Sequence, residues 1–361
     1  MWKVSSSFDL AANYITRNWG EGIKGPTVNA IASSLPELLI SFMFLFYYKD
    51  IVGFSAGYAT IIGSSAFNVA FIPVISYIFI YYKNKDVIFK INRSIVLQDS
   101  LFLIGSIIIL SLGFIIGVGV YLSVLLIFLY LLYVYHVYKT RKKNTFKNNE
   151  NREIVFKSKL EKGKSTYIHS LINLRLYNLL LFNKINNLNS IIVIVFSILL
   201  IGGSCWILIG AVEEIGNYLG VNLFISAFFI AAISSSIPDT ILSIKDAKHN
   251  KFIDSFSNTY GSNIFDICIG IGLPVLIYSL IFNPIEMNIP IKRYPLFSDL
   301  FSLPNIGDYI LNGNLLMGSL FILFLFTIIT SIIYYSGRIN FRNSILILLV
   351  YLSFIISLLS F

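Results

Sequence analysis

The fold of this chain is decided by a pattern that occurs twice, once as Ala32-Ser33-Ser34-Leu35-Pro36-Glu37 and again as Ser234-Ser235-Ser236-Ile237-Pro238-Asp239. In each copy a carboxylate directly follows a Ser-x-Pro sequence, in which the proline breaks a helix. Both copies lie within long apolar stretches. Ionisable groups at membrane depth are costly and by default mark an ion or substrate path. A doubled, broken-helix carboxylate motif is typical of a transporter binding site.

A second element follows each copy, as Gly63-Ser64-Ser65-Ala66-Phe67-Asn68 and as Gly261-Ser262-Asn263-Ile264-Phe265-Asp266. Its Gly-Ser step permits close helix packing, and its last residue supplies an oxygen from a second helix. Each part alone has an ordinary structural explanation, because proline often only kinks a membrane helix and small residues often only form a packing face. The same order of parts occurring twice favours a binding site.

The composition places the chain in a membrane. Of its 361 residues, 56% are hydrophobic and 12% are charged, with a mean hydropathy of +0.78. Soluble globular domains carry about 25% charged residues, so that class is excluded. Several apolar runs exceed the roughly 20 residues that a spanning helix needs. We expect a multi-pass, all-α integral membrane protein, in either the plasma membrane or an organelle membrane, with spans at about 25–47, 51–82, 95–115, 117–138, 190–216, 222–245, 252–281, 314–335 and 342–360.

The order of the spans predicts two inverted repeats. Glu37 precedes Asp239 by 202 residues and Asn68 precedes Asp266 by 198. The two motifs lie five spans apart, an odd number, so their helices run in opposite directions and meet near the bilayer midplane. We expect about ten transmembrane helices in two five-helix repeats, residues 1–138 (motif 25–80) and 190–361 (motif 222–280). Segment 4–17 is too short to span, so we expect a truncated first helix, either from a truncated gene model or in a shortened natural transporter.

A basic loop connects the two repeats. Residues 139–188 hold twelve Lys or Arg and three Glu, a balance of +9 that equals the net charge of the whole chain. An excess of Lys and Arg in one loop predicts that loop, residues 139–189, to be cytoplasmic. Contact with anionic lipid headgroups is a weaker expectation. Nucleic acid is not expected as a partner.

The residue types at the two motifs suit a hard cation. Ca²⁺ takes six to eight oxygen ligands from carboxylates, amides, hydroxyls, carbonyls and water. Each proline frees backbone carbonyls that need a partner in lipid. The candidate ligands are Glu37, Asp239, Asn68, Asp266, Ser33, Ser34, Ser235 and Ser236. No nucleophile–base pair or catalytic metal set occurs, so we do not expect an enzyme, and no cofactor is predicted. Asp99, Glu213 and Glu214 lie near span ends and are expected to be structural or gating residues.

The two motifs resemble the α-repeats of the cation/Ca²⁺ exchanger superfamily, most closely those of its potassium-dependent sodium/calcium exchangers. The resemblance implies that Glu37 and Asp239 are central Ca²⁺ carboxylates shared with Na⁺, flanked by Asn68 and Asp266. It places Asp266 where an acid accompanies K⁺ co-transport. It also implies hydroxyl ligands from Ser33, Ser34, Ser64, Ser235, Ser236 and Ser262, and backbone carbonyl ligands from Ala30 and Ala232.

These observations predict an antiporter that exchanges Ca²⁺ for Na⁺ by alternating access, with K⁺ co-transport left open. Its partners would be inorganic cations and membrane lipids. Two alternatives stay open at this point. One is a proton-coupled Ca²⁺ exchanger, and the other is a non-transporting membrane protein inactivated by loss of its first helix.

Overall fold

A computed structural model describes residues 1–17, 23–83, 89–141, 167–180, 185–285 and 314–359. Almost all of these residues are helical. The first repeat and the segments that follow it contain α1 (Trp2–Ile15), π1 (Gly25–Asn29), α2 (Ala30–Ser33), α3 (Leu35–Tyr48), α4 (Asp50–Lys83), β1 (Phe89–Lys90), α5 (Arg93–Ile116), α6 (Val120–Arg141), α7 (Tyr167–Ile172) and α8 (Leu176–Leu180).

The second repeat follows the same plan. It contains α9 (Asn187–Leu219), α10 (Leu223–Ser226), π2 (Ala227–Ala231), α11 (Ala232–Ser235), α12 (Ile237–Lys248), α13 (Phe252–Phe265), π3 (Asp266–Ile271), α14 (Gly272–Ile281), α15 (Asn314–Tyr334), β2 (Arg338–Ile339) and α16 (Phe341–Leu359). The short helices from α10 to α12 form one continuous span of 26 residues, and those from α13 to α14 form another of 30 residues.

The chain is a multi-pass integral membrane protein. Among the described residues, eight helices are long and apolar enough to cross a bilayer, and the pair Pro26–Ser33 and Leu35–Tyr48, bent by 49°, makes a ninth span. These nine match the nine spans expected from sequence to within a few residues. Helix α1 has 14 residues and falls below the roughly 20 needed to span. It lies along α9, where Arg17 donates a hydrogen bond to Asn187 Oδ1 at 3.1 Å.

Helices are sorted into an inner and an outer layer. In the most apolar 18-residue stretch of α4, 78% of the residues are buried within the protein, whereas in the corresponding stretch of α9 only 22% are. The outer helices present large apolar side chains such as Leu199 and Trp206 to lipid. The inner helices carry the two motifs, so the polar residues predicted to bind ions are screened from lipid by the rest of the molecule.

The two repeats match segment by segment. The helices π1 and π2, and the helices α3 and α12, begin 202 residues apart. Helices α4 and α13 also begin 202 residues apart, at Asp50 and Phe252, but 18 residues separate Asp50 from Asn68 and 14 separate Phe252 from Asp266. The four extra residues of the first repeat therefore form one additional turn of α4, as the sequence predicts.

Two contacts join the repeats on the side where α6 ends and α9 begins, called here the basic-loop side. Strand β1 pairs antiparallel with β2, with Phe89 opposite Ile339. Arg141, which the sequence places in the basic loop, is instead the last residue of α6; it pairs with Asp99 of the same repeat at 2.7 Å and donates a hydrogen bond to Ser257 Oγ of α13, in the second repeat, at 3.2 Å. Residues 142–166, 181–184 and 286–313 lie outside the described residues, so lipid contact by the basic loop stays a prediction.

Candidate cation-binding site

Each predicted carboxylate lies at the start of a helix that follows a sharp break. At the breaks, the ψ angles of Ser34 and Ser236 are 5° and −3°, shifted from the ψ of about −42° of a regular α-helix. The next helices begin with Pro36 and Pro238 in the first turn, directly before Glu37 and Asp239. A helix N-terminus carries a partial positive charge that stabilises a carboxylate. A π-helix precedes each break, and such single turns are common at functional sites.

The Gly-Ser steps bring each repeat against the other. A methyl group on Gly63 of α4 would lie closer than 3.0 Å to the carbonyl of Phe228 in π2. A methyl group on Gly261 of α13 would overlap the backbone of Pro26 in π1 equally closely. Only glycine permits these two approaches. They place the second element of each motif beside the broken segment of the other motif.

Ser64 and Asn68 connect the two central carboxylates. Ser64 Oγ donates to Glu37 Oε1 at 3.4 Å, and Asn68 Nδ2 donates to Asp239 Oδ2 at 3.3 Å and to Ser64 Oγ at 3.3 Å. Ser236 of the second repeat donates to Ser64 at 3.0 Å. All of these side chains are fully buried. The first and second motifs therefore form one polar cluster rather than two separate sites.

Each carboxylate also lies near a serine from the opposite repeat. Ser235 lies close enough to Glu37 to interact with its carboxylate, and Ser33 lies equally near Asp239. Ser262 of the second element also interacts with Asp239. This exchange of partners is what a pseudo-twofold arrangement produces, since each broken turn faces the acid of the other repeat.

Asp266 lies apart from this hydrogen-bonded cluster. Its charge interacts with those of Glu37 and Asp239, and Ser34 lies nearby. Neither Asp266 oxygen has a hydrogen-bond partner. Within the described part of the chain, no three Asp, Glu, His or Cys side chains converge closely enough to hold a metal. The three acids therefore do not share one coordination sphere.

Several buried oxygens at the cluster have no hydrogen-bond partner. They are Ser34 Oγ, Glu37 Oε2, Asn68 Oδ1, Asn258 Oδ1, Asp266 Oδ1 and Asp266 Oδ2. A buried polar group without a partner costs free energy that a ligand recovers when it binds. All six are hard oxygen atoms of the kind that Ca²⁺ and other hard cations select. The donor set therefore fits a cation.

The remaining predicted ligands lie just before the two breaks or, for Ser262, within α13, and their oxygens form hydrogen bonds within their own segments. The carbonyl oxygens of Ala30 and Ala232 accept the amides of Ser34 and Ser236 at 2.9 Å and 3.1 Å. Ser33 Oγ donates to the carbonyl of Asn29 at 2.7 Å. The hydroxyls of Ser235 and Ser262 likewise donate to carbonyls of their own helices. Direct coordination by these groups stays a prediction.

The structure adds residues that the sequence analysis missed. Asn258 Nδ2 donates to Asp239 Oδ1 at 3.4 Å and to Ser243 Oγ at 3.1 Å. Asn263 Oδ1 accepts from Asn68 at 3.1 Å, and its Nδ2 donates to the carbonyl of Ser65 at 2.8 Å. A signal for Asn258 was present in the sequence. Polar residues recur every four positions along the span formed by α13 and π3, as Asn258, Ser262 and Asp266, which is one face of a helix.

Asp99 has a structural environment, unlike the acids of the cluster. Arg141 donates to its Oδ1 at 2.7 Å, Tyr133 donates to the same oxygen at 3.2 Å, and Ser257 donates to Oδ2 at 3.0 Å. The carboxylate is fully buried and fully paired. Its partners join α5, α6 and α13, so Asp99 fixes the helix that carries Asn258 and Asp266.

Similarity to known proteins is extensive at the family level. Residues 3–139 and 189–359 match the family model described as "Sodium/calcium exchanger protein". Sodium/potassium/calcium exchanger 2 of Mus musculus is 33% identical over 101 residues, which are 26% of this chain and 15% of that protein. Sodium/potassium/calcium exchanger 1 of Bos taurus is 35% identical over 85 residues, 24% of this chain and 7% of that protein. These alignments thus span less than a fifth of either relative.

Solved structures share the fold along nearly the whole chain. The crystal structure of H⁺/Ca²⁺ Exchanger CAX superposes with a TM-score of 0.65 at 15% identity, covering 99% of this chain and 79% of that one. The sodium-calcium exchanger NCX_Mj, soaked with 2.5 mM Na⁺ and 0.1 mM Ca²⁺, gives 0.54 at 20% identity, covering 99% and 94%. At such identities the likeness shows the fold. Since the family model covers most of the residues, and the two motifs lie within the matched ranges, the chain belongs to the sodium/calcium exchanger family of the cation/Ca²⁺ exchanger superfamily.

Proposed function

We propose that this protein exchanges Ca²⁺ for Na⁺ across its membrane, with both ions binding in turn around Glu37 and Asp239. The observation that supports this most strongly is the buried cluster itself. It brings one carboxylate from each inverted repeat together through Ser64 and Asn68. Family membership and the names of the relatives agree with this proposal.

The charges at the cluster give a physical reason for exchange. Two carboxylates match the charge of one Ca²⁺, and several Na⁺ ions would neutralise the same acids. Without any cation, like charges in a low dielectric repel one another strongly. An empty site is therefore costly to move across the membrane, and one ion leaves only as another arrives.

The inverted repeats give a route for alternating access. The two halves have equivalent breaks and equivalent helix hairpins, so exchanging their conformations would open the same site to the opposite side. Glu37, Asn68, Asp239 and Asp266 are all fully buried in this structure. Their burial is consistent with a site that opens to one side at a time.

Asp266 carries the finer part of the proposal, which concerns K⁺. Its carboxylate lies beside the central cluster without a hydrogen-bond partner. A separate carboxylate of this kind would hold a monovalent cation without displacing the ion at Glu37 and Asp239. We expect any K⁺ requirement to depend on Asp266.

Vesicles test the proposal directly. Purified protein is reconstituted, loaded with Na⁺ and diluted into Na⁺-free buffer with or without K⁺, and ⁴⁵Ca²⁺ uptake is measured. We expect uptake that requires the outward Na⁺ gradient and disappears in Glu37→Gln. Glu214, for which the sequence predicts a structural or gating role, is exposed on α9 and lies outside the cluster, so the matched variant Glu214→Gln should retain uptake.

Two other outcomes would replace the proposal. Uptake driven by a pH gradient without Na⁺ would indicate a proton-coupled Ca²⁺ exchanger. Calcium binding without flux, in protein that is correctly inserted, would indicate a non-transporting membrane protein.

A further inference from the structure

A cavity on the basic-loop side reaches Ser33, at the edge of the cation-binding cluster. It is a small, partly open cavity between α1, α2 and α12, with a volume of about 60 Å³. Its walls include Ser5, Asp9, Ser33, Pro238, Leu242 and Lys245. Ser33 also lies beside the Asp239 carboxylate. The cavity therefore leads from the protein surface to the edge of the cluster.

An ion pair lies on the wall of this cavity. Lys245 Nζ of α12 donates to Asp9 Oδ2 of α1 at 3.1 Å. The lysine side chain is 45% exposed and the aspartate side chain is 10% exposed. A lysine is a compact charge on a flexible stem, so Lys245 is able to swing toward water while Asp9 stays in place.

Further hydrogen bonds hold the same helices together around this pair. Asn13 donates to Asp9 and also to Asn29 Oδ1, at 3.4 Å in the second case. Asn29 donates to Asp246 Oδ2 at 3.3 Å. The pair is thus the charged part of a polar chain that joins α1, π1 and α12. Movement of α1 away from α12 would break this chain and widen the cavity.

Among the described residues at the opposite end of the molecule, the corresponding hairpin between α3 and α4 is held by a neutral donor. There Asp50, at the turn between α3 and α4, accepts a hydrogen bond from the Tyr278 hydroxyl at 2.8 Å. That contact carries no positive charge.

We propose that Asp9 and Lys245 form a charge gate on the ion passage at the basic-loop side. This inference rests on the proposed function, in which cations use that passage. In the closed gate, the Lys245 ammonium neutralises Asp9 and repels an approaching cation. In the open gate, Lys245 turns to water and the Asp9 carboxylate draws cations toward Ser33 and the cluster.

Thiol labelling tests the gate without requiring transport. Ala32, on the cavity wall, is replaced in Ala32→Cys, in full-length protein that also carries Cys205→Ala and Cys268→Ala. The purified protein is treated with a positively charged, water-soluble thiosulfonate and, separately, with a neutral one of similar size. We expect Lys245→Met to accelerate labelling by the cationic reagent severalfold, with little change for the neutral reagent.

Matched variants control for packing and for general loss of charge. Lys248→Met removes a lysine from the same helix, where it lies over the Phe79 ring, and should leave both labelling rates unchanged. The swap Asp9→Lys with Lys245→Asp should restore the original rate for the cationic reagent. Equal labelling rates in Lys245→Met and the parent would overturn the gate. Equal acceleration of both reagents would also overturn it, because it would show a steric plug.

Flux then relates the gate to the proposed function. In oriented vesicles, Lys245→Met should lower the KM for Ca²⁺ on the basic-loop side severalfold and leave the opposite side unchanged. An equal change on both sides would contradict the gate. Absence of Na⁺-driven uptake in the parent protein, with the labelling result intact, would overturn the proposed function and leave the gate standing.

Discussion

The two repeats place equivalent residues around one site but end their motifs differently, the first on Asn68 and the second on Asp266. The Asn68 amide donates hydrogen bonds to partners from both repeats, among them Asp239 and Asn263. The Asp266 carboxylate has no hydrogen-bond partner. The amide therefore holds the halves together, while the acid adds a charge at the edge. Equivalent positions in an inverted repeat thus need not have equivalent roles.

A second difference lies two turns earlier on the same helices. Thr60 of the first repeat donates to the carbonyl of Ala56 on its own helix at 3.0 Å. Its counterpart in the second repeat, Asn258, donates to Asp239. Asp239 therefore has two amide donors, whereas the side-chain partners of the Glu37 carboxylate are hydroxyls, with Ser64 Oγ at 3.4 Å. The four predictions below test which of these differences matter.

The largest effect is expected where the repeats are alike. Asp239→Asn should reduce Na⁺-driven ⁴⁵Ca²⁺ uptake by about 100-fold or more, as far as Glu37→Gln does. Each substitution removes a carboxylate that would pair with the buried Ca²⁺, and losing one partner of a buried pair of opposite charges costs about 3–5 kcal/mol. Size-exclusion chromatography in detergent checks that both variants fold. If one variant kept more than half of the uptake, the two carboxylates would not share one site.

A smaller loss is expected for Asn68→Ala. Removing the amide leaves Asp239, Ser64 and Asn263 without a shared partner, so the KM for Ca²⁺ should rise about tenfold, the equivalent of about 1.4 kcal/mol. Ser76→Ala is the control, because it also removes a buried polar group from α4, in this case a hydroxyl that has no hydrogen-bond partner. An Asn68→Ala variant with unchanged KM would show that the amide does not connect the repeats.

A smaller difference between the repeats is expected for Asn258 and Thr60, the equivalent residues two turns earlier on the same helices. Asn258→Ala removes one hydrogen bond to Asp239 and should raise the KM for Ca²⁺ about fivefold, as expected for a loss of about 1 kcal/mol. Thr60→Ala should leave the KM unchanged, because its hydroxyl bonds only to its own helix. Equal effects of the two variants would mean that the difference between these positions has no bearing on the site.

The smallest effect on Ca²⁺ is expected for Asp266→Asn. Because no hydrogen bond is lost, Na⁺-driven uptake in K⁺-free buffer should stay within about twofold of the parent. Any stimulation of that uptake by K⁺ should disappear. Uptake measured over a series of K⁺ concentrations checks both points. A fall to the level of Glu37→Gln without K⁺ would place Asp266 at the central site instead.

Most of the fold could be predicted from the sequence because membrane spans are long apolar runs with a strong signal. The place of Glu37 and Asp239 in the candidate site could also be predicted, because a carboxylate is costly within a membrane span and is therefore rare there. Asn258 could have been predicted as well, because Asn258, Ser262 and Asp266 follow one another at intervals of four residues. Polar residues in a buried helix carry a signal only when their helical face is considered.

Other features could not be predicted because they depend on residues distant in the chain. Asp9 and Lys245 lie 236 positions apart, and Asp99 and Arg141 lie 42 apart. In the sequence, each of these charged residues contributes only to the net charge of its segment, and its ion-pair partner cannot be identified. The helices π1 and π2 were not predicted either; Pro26 of π1 and Phe228 of π2 pack closely against Gly261 and Gly63 of the opposite repeat, contacts between residues that are distant in the chain.

Equilibrium binding of ⁴⁵Ca²⁺ to the purified protein tests most directly whether the two repeats form one shared site. The account predicts one bound Ca²⁺ per chain, and it predicts that Glu37→Gln or Asp239→Asn alone removes this binding entirely. The control Glu214→Gln should bind Ca²⁺ like the parent. Two bound Ca²⁺ per chain, with each variant losing only one of them, would show that each repeat holds its own ion and would contradict the account.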